Sequence, residues 1–242
     1  MISLSEHFGY KKIIRFTLPS IIMMIFTSIY GVVDGIFVSN FVGKTPFAAI
    51  NLIMPYLMIL GTVGFMIGTG GSALVAKTLG EGDKPKAKRL FSMLIYASVI
   101  IGASLTLIGI IALRPVSVLL GAEGEMLEAC VTYGTVILSA LTFFMLQNTF
   151  QSFLVTAERP KLGLVITVAA GVTNMLLDAL FIAVFKMGLI GAALATAISQ
   201  CVGGLLPLLF FAFPNSSPLR LGRTFLTVVP SLKRLRTVHP SL

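Results

Sequence analysis

Residues 162–185 read LGLVITVAAGVTNMLLDALFIAVF, and after Lys186, Met187 and Gly188 residues 189–213 read LIGAALATAISQCVGGLLPLLFFAF. The two apolar runs hold 24 and 25 residues, enough at about 1.5 Å per residue to cross a hydrocarbon core of about 30 Å. A three-residue link returns the second run beside the first, so the stretch predicts an antiparallel hairpin of spanning helices. A closed strand barrel would instead show alternating segments of about ten residues, and no such alternation is present. One carboxylate, Asp178, stands inside this apolar surround.

The pattern extends along the whole chain. Six apolar runs of 24 to 30 residues, about 16–41, 47–76, 90–113, 129–157, 162–185 and 189–213, are separated by short polar links. Of 242 residues, 56% are hydrophobic and 11% charged, against about 25% charged in a water-soluble domain. Mean hydropathy is +0.98. A soluble domain is excluded, and so is a disordered chain, which needs low hydrophobicity and high charge. The first run is too long for a cleaved signal peptide and no A-x-A-like site follows it, so it reads as a retained helix. The expected fold is an all-α integral membrane protein with six transmembrane helices in antiparallel hairpins.

The net charge of +9 would suggest nucleic-acid binding in a soluble protein, but its distribution explains it as a topology signal. Fifteen basic residues fall on one side: Lys11, Lys12, Arg15, Lys77, Lys84, Lys86, Lys88, Arg89, Arg159, Lys161, Arg220, Arg223, Lys233, Arg234 and Arg236. Lys44, Arg114 and Lys186 fall on the other. The excess of lysine and arginine marks the cytoplasmic side. Both chain ends are then cytoplasmic, and the expected location is the plasma (cell inner) membrane. The partner is the lipid bilayer, with no nucleic acid. Residues 214–242 are basic and hold no spanning run, which predicts a cytoplasmic tail or the truncated start of something further.

Enzyme chemistry finds no footing. His7 and His239 lie near opposite ends of the chain, and Cys130 and Cys201 sit in apolar runs as small buried hydrophobes. The segment GSALVAKT at Gly71–Thr78 resembles a phosphate loop, but Ala76 replaces the second glycine and no strand precedes it.

Two acidic residues inside apolar runs carry the functional signal: Asp34 and Asp178. Burying such a side chain at a helix centre costs on the order of 3 kcal/mol, and intramembrane acids mark ion or proton pathways. Asp178 lies eight residues before Lys186, about 12 Å by helical rise, and Thr196 lies ten after it, about 15 Å. Asp34 lies nine residues before Gly43, about 13 Å. These three therefore share a depth, and Asn174 shares the face of Asp178 at i, i+4. Two carboxylates, an amide and a hydroxyl form a candidate site for sodium or for a proton. A second polar group, Tyr133, Gln147, Asn148 and Gln151, falls on one run and reads either as cavity lining or as hydrogen bonding between helices. Gly64 and Gly68 form a small-xxx-small pair suited to close helix packing. Pro19, Pro55 and Pro207 are candidate kinks.

Three segments together resemble the amino-terminal half of the multidrug and toxic compound extrusion (MATE) family: LPSIIMMIFTSIYGVVDGIFVSNFVG from Leu18, GTGGSALVAKTLGEGD from Gly68, and VTNMLLDALFIAVFKMGLIGAALATAISQ from Val172. The resemblance covers about residues 10–213. It implies a cation-coupled antiporter of twelve helices in two six-helix lobes, exporting organic, often cationic, or hydrophobic drugs from a cavity that opens alternately to each side. It implies that Asp34, Asn174, Asp178 and Thr196 form the amino-lobe sodium or proton site. It sets Tyr133 and Gln151 near cavity positions, and it calls for no cofactor besides the coupling ion. Only six helices are present here, although TVVPSL at Thr227–Leu232 echoes FTLPSI at Phe16–Ile21. That pattern is expected of a truncated or frame-disrupted product, missing a carboxy-terminal lobe, or of a half-transporter that pairs with a second copy. A lipid-linked precursor flippase of the same superfamily shape, and a non-transporting membrane assembly protein, are the alternatives. The flippase expects a cationic cavity, whereas the interior charges here are acidic.

Overall fold

The computed structural model describes residues 10–214 and 217–222, the side chains of residues 10–13, 15 and 16 excepted. The described chain is helical throughout: α1 (Tyr10–Phe41), α2 (Lys44–Gly80), α3 (Lys84–Leu119), α4 (Gly124–Ser139), α5 (Leu141–Thr156), α6 (Pro160–Asp178), a π-helical turn (Ala179–Val184) and α7 (Gly188–Ala212). Local signals account for the breaks. Between α2 and α3 the chain turns through Gly82 at φ +85°, a left-handed conformation that costs glycine nothing. Asp83 then caps α3, its carboxylate accepting from the Lys86 backbone N–H at 3.0 Å. Pro160 opens α6, where a missing N–H is harmless.

Five of these segments are long and apolar enough to span a bilayer, and α4 with α5 makes a sixth span bent by 53°. The continuous helix expected over 129–157 is therefore corrected to two. Neither proline nor glycine marks the bend. The Ser139 hydroxyl donates to the Val136 carbonyl at 2.6 Å, and the Ala140 N–H bonds Ile137, three residues back, at 3.1 Å. Competition of a serine side chain for ladder carbonyls bends helices in this way. The uniform helix expected over 162–185 is likewise interrupted. After Asp178 the ladder shifts to five-residue spacing, with the Phe185 N–H on the Leu180 carbonyl at 2.8 Å.

Packing also departs from simple sequential hairpins. α1 lies against α6 and barely meets α2, while α2 packs on α3, α4 and α5, and α7 on α4, α5 and α6. One core joins α2, α4, α5 and α7 through Ile53, Leu57, Leu138, Met145 and Ala193. A second, near the basic end, packs Phe91 edge-on against Phe153 and Phe211, with Phe150 stacked on Phe211. Gly64 and Gly68 serve packing, as their spacing predicts. A Cβ on Gly64 would lie 2.5 Å from the Met145 Cα, and one on Gly68 2.8 Å from the Thr149 Cα, so α2 and α5 meet backbone to backbone. The Thr149 hydroxyl donates across that seam to the Gly64 carbonyl at 2.9 Å.

The outward faces carry Met24, Val32, Leu107, Ile111 and Leu119, all exposed, as lipid contact requires. Lys44 opens α2, Lys186 lies in the link before α7, and Arg114, five residues before the end of α3, pairs with Glu128 at 2.9 Å. Part of the segment expected as a tail is packed: Leu219 is fully buried, and the Gly222 N–H donates to the Ser92 hydroxyl at 3.0 Å. The basic residues from Arg223 onward and the TVVPSL echo lie outside the described residues.

Candidate cation site

α1 and α6 pack along their length and meet closely at a glycine. A Cβ on Gly171 would lie 2.5 Å from Cε1 of Phe26 and 3.0 Å from Cδ1 of Tyr30, so two rings of α1 rest where α6 carries no side chain. With the seam closed, Asp34 of α1 and Asp178 of α6 interact electrostatically, near enough for a side-chain hydrogen bond when one carboxyl holds a proton. Tyr133 of α4 is within electrostatic range of both carboxylates and neighbours the Thr196 hydroxyl of α7. Four elements thus meet at the level where the π-helical turn begins. A π turn inserts a residue into the helical register and recurs at functional sites; here it immediately follows Asp178.

Asp178 is 0% exposed, Asn174 2% and Tyr133 3%, while Asp34 and Thr196 are half-buried. Several oxygens of the group lack the partners that burial demands. Asp34 Oδ1, Asn174 Oδ1, both carboxylate oxygens of Asp178 and Thr196 Oγ1 are buried with no hydrogen-bond partner. Each unsatisfied buried polar group costs about 1–3 kcal/mol, and a charged one more, so their clustering marks a place built for an electropositive occupant. Oxygen donors without nitrogen or sulfur suit a hard cation or a proton. Among the described residues no three His, Cys, Asp or Glu side chains group together, so the donor set carries two carboxylates among neutral oxygens. That composition fits a singly charged ion, and the residues expected to bind sodium are suited to it.

The structure brings together Asp34, Asn174, Asp178 and Thr196, and it adds Tyr133 to them. Gln147 and Gln151 lie on α5, a helix that contributes none of these unpaired oxygens. The bend at Ala140 leaves Tyr133 on α4 and both glutamines on α5, dividing the second polar group. Gln147 packs its amide against Gly203 of α7, where an added Cβ would lie 2.5 Å from the Gln147 Cδ, which is an interhelical packing role. Gln151 is half-buried on the same helix. Two further residues escaped the sequence reading. Tyr30, one turn before Asp34, interacts with its carboxylate, and Gln200, one turn after Thr196, has a buried amide oxygen with no partner. The four-residue spacing from a recognised polar residue is the signal that finds each.

Six apolar crossings around a buried, oxygen-lined acidic centre define a polytopic helical membrane protein. The MatE family profile matches residues 19–180, and the chain belongs to this family. Over 202 residues it is 30% identical to the multidrug export protein MepA of Staphylococcus saprophyticus and 28% identical to MepA of Staphylococcus aureus. Each alignment takes 84% of this chain but 45% of the relative, so the chain spans just under half the length of the curated relatives it matches. Among solved structures it resembles a MATE protein in complex with MaL6, with TM-score 0.83 and 26% identity over 87% of this chain and 47% of that one. A MATE protein in the bent conformation matches with TM-score 0.80 and 26% identity over 96% of this chain and 49% of that one. A MOP superfamily transporter from Pyrococcus furiosus matches with TM-score 0.80 and 26% identity over 87% and 46%. The chain thus has the fold of one lobe of such transporters, which are not enzymes.

Proposed function

We propose that this chain is the amino-terminal lobe of a cation-coupled antiporter that exports organic, often cationic, or hydrophobic drugs and toxins across the plasma membrane, with both chain ends in the cytoplasm. The observation that carries the reading is the convergence of Asp34, Asn174, Asp178 and Thr196, from three packed helices, with buried oxygens that nothing in the fold satisfies. Entry of sodium or a proton removes that penalty and stabilises the conformation in which α1 is closed on α6. Drug binding in an adjoining cavity favours the conformation in which the seam relaxes. Two ligands that bias one equilibrium in opposite directions are exchanged rather than co-transported. No resident cofactor is required. The relatives are about twice as long, so the facing wall of the cavity comes from a second six-helix lobe, supplied by a carboxy-terminal half or by a second copy.

Ethidium efflux from vesicles under an imposed sodium or proton gradient tests this, with the lobe joined to a carboxy-terminal half. The Asp178→Asn variant is expected to abolish gradient-driven efflux while leaving insertion intact. Efflux that continues unchanged in this variant removes the buried acidic pair from the mechanism. The acidic interior is the observation that favours this reading over a flippase for anionic lipid precursors.

A further inference from the structure

Past Ala212 the chain turns back on the helix it has just left. Phe213, the residue before Pro214, is extended at φ −85° and ψ 161°, as the clash with a following proline ring demands. The Leu221 N–H then donates to the Phe211 carbonyl at 2.9 Å, one of the last-turn carbonyls that an α-helix leaves unpaired. Two further anchors tie residues 217–222 to the lobe. Leu219 is fully buried in the core of Phe91, Phe153 and Phe211. On α3, the Ser92 hydroxyl accepts from the Gly222 N–H at 3.0 Å while donating to the Lys88 carbonyl at 2.9 Å. Tyr96, one turn along the same face of α3, donates its hydroxyl to the Gly222 carbonyl at 3.2 Å. Both backbone polar groups of Gly222 are thus read by two α3 side chains. α7 itself packs mainly on α4, α5 and α6 and meets α3 through Phe211 on Phe91, so this strap adds the hydrogen-bonded tie between the end of α7 and α3.

The strap takes up reach. Residues 214–222 fully extended would span about 30 Å, yet in place they advance the chain little, because Leu221 lies back beside Phe211. Its hold is also local. One buried side chain and three hydrogen bonds to backbone groups fasten it, against the entropy of ordering a segment at the margin of the fold, and segments so held open while the helices stay intact. In a transporter of two lobes, the connector between them limits how far their basic ends can part. Resting on the two-lobe transport reading above, we propose that residues 217–222 are a releasable clasp on that connector. Closed, the clasp fastens the connector to α3 and holds the basic ends together. Undone, it frees the connector's length and lets those ends separate, opening the cavity toward the basic side.

Locking the clasp tests this, in the lobe joined to a carboxy-terminal half and carrying Cys130→Ala and Cys201→Ala. The 3.0 Å contact of the Ser92 hydroxyl with the Gly222 nitrogen puts Ser92→Cys and Gly222→Cys within disulfide reach. Oxidation should close the pair, read as loss of both thiols to maleimide, and abolish gradient-driven ethidium efflux from vesicles. Dithiothreitol should restore it. Undoing the clasp with Ser92→Ala and Tyr96→Phe should leave efflux running. The same two substitutions should speed maleimide labelling of a lone Leu219→Cys by about tenfold or more, a measurement that serves where the paired cysteines do not fold. Efflux undiminished by the closed disulfide overturns release and leaves the strap a fixed tie. A pair that stays reduced under oxidation, or labelling at Leu219→Cys unmoved by the two α3 substitutions, overturns the clasp itself. A parent without gradient-driven efflux overturns the transport reading and the release that rests on it, whereas disulfide closure and labelling report the clasp without transport.

Discussion

Gly64→Ala on α2 should destabilise the lobe although alanine is the better helix former. Exchanging glycine for alanine inside a helix gains about 1 kcal/mol. Against that gain, the new methyl would lie 2.5 Å from the Met145 Cα and 2.6 Å from its carbonyl oxygen. These are backbone atoms of α5, so no rotamer change relieves the overlap and the two helices must part. Overpacking of this kind costs about 1–3 kcal/mol. Parting also stretches the 2.9 Å bond from the Thr149 hydroxyl to the Gly64 carbonyl, worth about 1 kcal/mol. The net effect is a loss of about 1–3 kcal/mol. Gly70, two turns along the same helix, has nothing within 4 Å of its would-be Cβ, so Gly70→Ala should keep the propensity gain. At roughly 2–4 °C per kcal/mol for a chain of this size, the two variants should unfold on the order of 10 °C apart. With no tryptophan in the chain, the assay is a thiol-reactive maleimide dye in detergent, for which buried Cys130 and half-buried Cys201 are native reporters. Equal midpoints for the two variants would refute the backbone contact of α2 with α5.

Three further outcomes are expected. In choline without sodium, Asp178→Asn should raise the unfolding midpoint, because it replaces a buried unpaired carboxylate whose burial costs at least about 1–3 kcal/mol; a lowered midpoint in the same dye assay contradicts the empty-site penalty. Gly171→Val should displace the Phe26 and Tyr30 rings that rest on α6 and cost about 1–3 kcal/mol of stability in the dye assay, whereas Gly31→Val, in open space on α1, should stay within about 1 kcal/mol of the parent. Asp83→Ala removes the cap on the Lys86 N–H and should cost about 1 kcal/mol, measured as a lowered unfolding midpoint in the dye assay.

Much of this molecule was legible in one dimension because a bilayer imposes a length and a polarity on every crossing. The six runs, the glycine pair on α2 and the depth of Asp34, Asp178 and Thr196 all follow from counting residues against helical rise. The two corrections share a cause. At Ala140 and after Asp178 the ladder departs from α geometry with no proline or glycine to announce it, because the alternatives differ by single hydrogen bonds that side-chain competition and neighbouring helices decide. The bend at Ala140 then divided Tyr133 from Gln147 and Gln151, which one straight helix would have kept on a shared polar row.

Composition and spacing alone determined a six-crossing helical membrane protein with two acids at one depth. They did so because rise per residue converts sequence position into height, and the cost of intramembrane charge makes each acid conspicuous. Azimuth has no such ruler. Which faces of α1, α6 and α7 turn toward one another is set by side-chain packing between the helices, where the rings of Phe26 and Tyr30 rest on α6 at Gly171. Only the packing of α1 and α7 on α6 made two carboxylates of equal depth into one site.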